Sequence, residues 1–284
     1  MDRRTLLKRL GLGGAGALGA SLPVGGYLTG LHNGEHRLSG YYTASVSAGE
    51  RQGNVRLWWS VDAGRSADPT KMVALTFDDG PTRQFTSKVL NILADHNVPA
   101  CFFLIGELVR RHPDLVRRML EEGHEVGNHT FDHYSAGTQS PDDVRRTVER
   151  GANAIASISG ERPRWFRPVR GHVTGALMQA VADAGHDMAL WSVSRGDAAA
   201  DDDVQAVREN YITTIHDGAI VIFHDGIGRS AFELTGTDDQ LVTQRTAEIA
   251  ALPQVIDRYL ADGYELVTLS QLIDRSLGPP AGSF

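Results

Sequence analysis

Two adjacent carboxylates, Asp78 and Asp79, end the apolar run Met72-Val73-Ala74-Leu75 and are followed by Gly80-Pro81. The run reads as a short buried strand, and Gly-Pro as the turn that stops it. Side chains alternate faces along a regular strand, so the two carboxylates are expected to point in different directions. Such a pair suits two tasks around one centre, holding a metal and handling a proton. Taken alone it is also an ordinary polar strand-to-loop junction. Further along, His129 and His133 are four residues apart in Asn128-His129-Thr130-Phe131-Asp132-His133. In a helix or a tight helical turn that spacing brings both imidazoles to one side. Two His and one carboxylate are a common donor set for catalytic zinc, with one position left for water. Asp79 is the natural third donor. His96, His112, His124, His186 and His216 read as solvated or packed residues without a role.

Three further segments follow strand signals: Phe166-Arg167-Pro168-Val169-Arg170-Gly171, Trp191-Ser192-Val193-Ser194-Arg195-Gly196-Asp197 and Ile222-Phe223-His224. With Thr76-Phe77-Asp78-Asp79-Gly80-Pro81 and His129-Thr130-Phe131-Asp132-His133 they make five short motifs in one order. In this the chain resembles the polysaccharide deacetylases, the NodB-homology group also called carbohydrate esterase family 4, over residues 71–272. The resemblance implies a role for each matching residue. Asp79, His129 and His133 would hold a divalent metal, zinc first, with cobalt or another divalent ion as alternatives. Asp78 would be the base that takes a proton from the attacking water, and Arg167 its partner. His224 would be the acid that protonates the leaving amine, and Asp197 would orient it. The backbone N–H of Arg170 would stabilise the oxyanion, with Trp191 and Ile222 on the substrate side. Thr130 would brace the histidine loop by hydrogen bonding.

Elementary chemistry agrees with such a division of labour. Amide hydrolysis needs an activated water, a stabilised oxyanion and a protonated leaving nitrogen, and a bound divalent metal serves the first two. A separate base and acid are then required on either side of the reacting carbon. Taken singly, Arg167 reads as a surface ion pair, Asp197 as a helix cap and His224 as a core imidazole. At the ends of successive strands they form one constellation. Two positions depart from the family pattern: Arg170 stands where Tyr is common, and Ala198 where Trp is common. Neither removes a catalytic group, and both bear on the shape of the substrate pocket.

The elements needed to position these residues are legible. Strand signals fall at 73–77, 100–105, 125–127, 165–167, 188–193, 219–224 and 265–268. Helical patterns lie between them at 85–96, 113–122, 141–158, 175–184, 203–215 and 239–262. Strands alternating with helices imply an α/β fold with a parallel sheet. The resemblance makes it a distorted (β/α) barrel of about seven parallel strands, with its site at their C-terminal ends. Residues 71–276 would form the catalytic domain and 277–284 a tail. Residues 33–70 read as a linker and a hairpin packed on the barrel. Trp58 and Trp59 there are a candidate sugar-stacking platform, with core packing the stronger expectation for one of them. Residues 226–237 read as a loop over the site.

Residues 1–32 resemble a twin-arginine export signal, Arg3-Arg4 followed by Leu6, Leu7 and Lys8 and then an uncharged Gly- and Ala-rich run. The segment is expected to be cleaved or kept as an anchor, and the protein to be exported through the twin-arginine machinery. The chain carries −7 overall and +3 over residues 1–20, which leaves −10 on the rest. That balance argues against nucleic acid and anionic membrane surfaces and is compatible with neutral glycans. The lone cysteine, Cys101, sits in Ala100-Cys101-Phe102-Phe103-Leu104-Ile105 and reads as a buried strand residue. A monomer is expected. The leading expectation is a metal-dependent hydrolase removing N-acetyl groups from an N-acetylglucosamine polymer, peptidoglycan or chitin-like. An O-deacetylase of acetylated xylan, a small-amide hydrolase and an inactive sugar-binding module are the alternatives.

Overall fold

The computed structural model describes residues 40–48, 51–61, 70–196, 203–228 and 239–277. The expected export segment, the C-terminal tail, Asp197, Ala198 and most of the 226–237 loop lie outside them. The strands are β1 (Gly40–Ala48), β2 (Arg51–Ser60), β3 (Met72–Gly80), β4 (Cys101–Leu104), β5 (Glu125–Asn128), β6 (Trp165–Phe166), β7 (Asp187–Ala189), β8 (Ala219–His224) and β9 (Glu265–Val267). The helices are α1 (Thr86–His96), α2 (Gly106–Arg111), α3 (Pro113–Glu121), α4 (Pro141–Ser159), α5 (Gly175–Asp183), α6 (Val204–Thr214), α7 (Asp239–Ala261) and α8 (Leu269–Leu277).

Helix ends follow local chemistry. Ser140 caps α4 by accepting from Asp143 N, Pro141 takes the first turn, and Gly160 at φ 86° ends it. α2 and α8 were not anticipated. The first is too short to show a period, and the second follows β9 after a single residue.

Strands β3 to β7 are parallel neighbours in chain order, and β8 runs parallel to β3 on its other side. β2 closes the ring. It pairs in parallel with β7 at Leu57–Met188 and antiparallel with β8 at Ser60–Ala219. The result is a seven-strand barrel, order β2-β7-β6-β5-β4-β3-β8, with β1 hydrogen-bonded outside β2. The seven-strand (β/α) barrel expected from sequence is present, mixed rather than all-parallel because β2 meets β8 antiparallel, and with one exchange of strands. The segment expected as the last stave, β9, pairs with Met72–Ala74 of β3 below the point where β4 begins. It lies off the closed path, and the hairpin strand β2 takes the seventh place.

The side chains explain why β2 is admitted. Trp58 points into the barrel with Ala74, Cys101, Phe103, Trp165, Ala189 and Ile220. Val55, Leu57 and Trp59 point outward under α5, with Leu177, Val181 and Met188. A strand apolar on both faces is stable only between two layers. Trp58 and Trp59 are thus both core residues, 1% and 8% exposed, and the sugar-stacking reading is wrong. The same alternation holds in β3 and β8. Leu75, Phe77, Val221 and Phe223 pack outward against α1 and α7, leaving Thr76, Asp78, Ile222 and His224 on the other face at the C-terminal rim. Each large apolar side chain buried in this way contributes roughly 1.5–3 kcal/mol.

Candidate active site

Asp78 and Asp79 end β3, and the ladder to β4 slips between Asp78 and Gly80. Asp79 occupies this bulge at φ 78°, a left-handed conformation. The slip corrects the expectation drawn from strand alternation, because a bulge re-aims the extra residue. Both carboxylates turn to the same centre: His129 Nε2 lies 3.5 Å from Asp79 Oδ1 and 3.7 Å from Asp78 Oδ2. Gly226 packs on the bulge so tightly that a Cβ there would sit 2.0 Å from the Asp79 carbonyl oxygen.

The histidine loop follows β5. It converges by a bend rather than a helical turn, with Thr130 at φ 71° and His133 at φ 57°. Strain of this kind persists only where the surroundings over-determine it, and here they do. Thr130 N donates to Asn128 Oδ1 at 3.0 Å, and His133 N donates to Thr130 Oγ1 at 3.0 Å. Asn128 Nδ2 in turn donates to Val148 O at 2.9 Å and faces His186 Nε2 at 3.3 Å. His186, read from sequence as having no role, donates from Nδ1 to Pro163 O at 2.6 Å. Burial pushes its imidazole down to about 4, so it is neutral and its Nε2 accepts from Asn128. Gly151 of α4 leaves room for this brace, since a Cβ there would lie 2.3 Å from Asn128 Oδ1.

His133 Nε2 lies 2.9 Å from Asp79 Oδ1. His129 donates from Nδ1 to Arg167 O at 2.8 Å, which leaves Nε2 as its free lone pair. One donor atom each from Asp79, His129 and His133 falls within 4.8 Å of the others. Tetrahedral zinc with bonds of about 2.1 Å needs donors about 3.4 Å apart, so the 2.9 and 3.5 Å separations fit such an ion. Burial opposes ionisation of Asp79, but the imidazoles of His133 and His129 hold its carboxyl well below the usual carboxylate range. That effect belongs to the imidazoles in their protonated form, and a bound cation would take the place of those protons beside the same carboxylate.

Arg167 follows β6 and is fully buried. Nη1 donates to Asp78 Oδ1 at 2.8 Å and to Thr76 Oγ1 at 2.7 Å. Nε donates to Ala189 O and Nη2 to Leu190 O. The guanidinium lies 4.0 Å from the centre of the Phe103 ring and 5.7 Å from that of Trp191. This is a desolvated, fully bonded pair, unlike the surface ion pair that Arg167 suggests in isolation. It fixes Asp78 Oδ1 and leaves Oδ2 toward the histidines.

His224 ends β8 directly beside Asp78 in register and is half-buried. Asp197, expected to orient it, lies outside the described residues. Among the described residues the carboxylate beside His224 is Glu248, with Oε2 3.3 Å from Nδ1. Glu248 comes from α7, as does Arg245, which reaches Glu248 Oε2 at 3.3 Å and Asp79 Oδ2 at 3.5 Å. Sequence reading missed both. The available signal was that they occupy the apolar stripe of α7 that continues through Leu252, Val255 and Tyr259. Arg170 is exposed at φ 56° in the turn after Arg167. Trp191 lies over Gly171, and Ile222 is buried, its carbonyl accepting from Tyr211 Oη at 2.8 Å.

Asp225 lies beneath this rim, fully buried, with Oδ2 2.5 Å from Thr86 Oγ1 and no hydrogen-bond partner on Oδ1 among the described residues. Burial pushes its carboxyl up to about 7; the Thr86 hydrogen bond opposes this and the charges of Asp79 and Asp78 add to it. The unfolded chain therefore ionises first as pH rises from about 4, and stability falls until the folded group titrates near 7. Asp225→Asn keeps the shape of the neutral acid and removes this loss. In metal-free protein the variant should gain on the order of 3 kcal/mol relative to wild type between pH 4 and pH 7. Thermal melts at both pH values check this, and parallel behaviour of the two proteins would contradict it.

The sequence profile of the polysaccharide deacetylase family matches residues 65–189. A peptidoglycan-N-acetylglucosamine deacetylase of Bacillus cereus is 33% identical over 204 residues, 72% of this chain and 88% of that protein. A chitooligosaccharide deacetylase of Bradyrhizobium sp. is 38% identical over 204 residues, 72% of this chain and 91% of that protein. Among solved structures, peptidoglycan deacetylase PdaC from Bacillus subtilis matches with a TM-score of 0.62 at 29% identity, covering 76% of this chain and 93% of that one. Barrel, rim constellation and relatives agree, and the chain belongs to the polysaccharide deacetylase family.

Proposed function

We propose that the protein hydrolyses the N-acetyl groups of an N-acetylglucosamine-containing polysaccharide, peptidoglycan or chitin-like, using zinc. The observation that carries this reading is the convergence of Asp79, His129 and His133 beside two separate proton-handling groups, Asp78 and His224. The names of the relatives, which cover most of their own length, support the substrate class. A divalent ion held by the three donors would lower the pKa of a water to about 7 and polarise a carbonyl.

The remaining work falls to the chain. Asp78 Oδ2 faces the centre and takes a proton from the attacking water. Arg167 holds Asp78 from behind and keeps its other oxygen occupied. His224, on the neighbouring strand, gives a proton to the nitrogen as the C–N bond breaks. The buried frame around Arg167 excludes water from the back of the site. The Arg3-Arg4 pair and the uncharged run after it are in keeping with export, which would put the enzyme where such polymers lie.

The test is a substrate panel: acetate release by the purified protein from chitin oligomers, peptidoglycan and acetylated xylan. Release chiefly from the first two supports the reading. Preference for acetylated xylan would replace it with an O-deacetylase, and release from none would overturn it.

A further inference from the structure

The acid His224 is held by a part of the molecule that the five motifs do not include. Its Nδ1 lies 3.3 Å from Glu248 Oε2, within ion-pair range but without the alignment of a hydrogen bond. Glu248 is 1% exposed, and its other oxygen, Oε1, accepts from Tyr211 Oη at 3.1 Å. The same hydroxyl lies 2.8 Å from Ile222 O, two residues before His224, so its single proton is shared between the two oxygens. Arg245, one helical turn before Glu248, is buried as well. Its Nε donates to Gly226 O at 2.7 Å, two residues after His224. Its Nη1 meets Glu248 Oε2 at 3.3 Å, and its Nη2 lies 3.5 Å from Asp79 Oδ2.

A buried carboxylate is costly unless it is paired and hydrogen-bonded. Three partners surround Glu248: His224 itself, Tyr211, which is tied to the same strand, and Arg245, which is tied to the turn just after it. A carboxylate on one ring nitrogen of a histidine fixes the ring and its tautomer and directs the other nitrogen. With Nδ1 turned to Glu248, Nε2 is the nitrogen left for the substrate.

We propose that Glu248 and Arg245 are the positioning residues of the acid, Glu248 orienting His224 through Nδ1 and Arg245 locking Glu248 to the rear of Asp79. The proposal rests on the deacetylase reading. In the step served, the C–N bond breaks with its electron pair passing to nitrogen. That nitrogen takes the proton from His224 Nε2, and the acyl carbon leaves as acetate with the oxygen taken from water. Glu248 touches none of the reacting atoms. Its effect should therefore scale with how much the leaving group needs a proton.

The experiment compares wild type, Glu248→Gln and Glu248→Asp on an N-acetylchitooligosaccharide and on 4-nitrophenyl acetate. The amine of the first leaves only when protonated; the phenolate of the second leaves without a proton. Glu248→Gln is expected to lose about 50-fold in kcat on the amide with KM little changed, and its loss on the ester should be at least about tenfold smaller. Glu248→Asp should recover part of the amide rate. Zinc affinity by calorimetry should be the same in all three.

A second readout is independent of turnover. In ¹⁵N spectra of histidine-labelled protein, the His224 ring, assigned with His224→Gln, should show a protonated Nδ1 that changes in Glu248→Gln. Equal losses on amide and ester, a full amide rate in Glu248→Gln, or an unchanged ring signal would each overturn the proposal. A wild type that releases no acetate from the amide would instead sink the functional reading, and the ring signal would then decide the positioning role alone.

Discussion

Asp78→Asn is expected to lower kcat/KM for acetate release by about three orders of magnitude while zinc binding stays within a few fold, since a positioned general base contributes typically 10²–10⁴. The substitution keeps shape and leaves one oxygen for Arg167 Nη1, which now bonds Asp78 Oδ1 at 2.8 Å. The amide nitrogen is then forced toward the histidines, with N–H groups where Oδ2 offered a lone pair. Nothing in Asp79, His129 or His133 is removed, so the donor set for the ion survives. Kinetics with zinc content measured on the same preparation check the prediction. A variant within tenfold of wild type would remove Asp78 from the role of base.

The second large effect is on the frame behind the base. Arg167→Ala deletes the donor to Asp78 Oδ1, Thr76 Oγ1, Ala189 O and Leu190 O in one step. It leaves Asp78 buried without its cation and opens a gap beside Phe103. Removing one partner of a buried pair costs about 3–5 kcal/mol. For a domain of this size that lowers Tm by roughly 6–20 °C. Activity should fall at least as far as in Asp78→Asn. Arg167→Lys should recover little, because a point-like ammonium cannot reproduce a planar fork bonded in four directions. Melting curves and acetate release decide this. A melting point within about two degrees of wild type, with half the activity retained, would show that the pair is dispensable.

Much of this site was legible because its signals are short. Asp78-Asp79, His129 with His133, Arg167 and His224 each follow an apolar strand within a few residues, and parallel strands bring their C-terminal ends together whatever lies between. What was not legible depends on contacts distant in sequence. The bulge at Asp79 is set by pairing with β4, so strand alternation alone sent the two carboxylates apart. The exchange of β9 for β2 depends on which edge of β3 is already occupied. Trp58 and Trp59 read as a candidate platform with core packing the stronger expectation for only one of them, because the hairpin was expected on the barrel rather than in it; both are buried. His186 looked idle because its partners, Asn128 and Pro163, come from other segments. Arg245 and Glu248 sit on a helix whose remaining stripe is apolar, and only the packed structure shows that the stripe ends on the catalytic rim.

Dependence on the ion is the most direct test of the central claim. Acetate release from an N-acetylchitooligosaccharide should be followed for the protein as purified, after exhaustive chelation, and after return of zinc. The account predicts release that vanishes with the chelator and returns with zinc in the wild type, and that does not return in His129→Ala, which lacks a donor to the ion. Release that persists at full rate after the metal is stripped would contradict it.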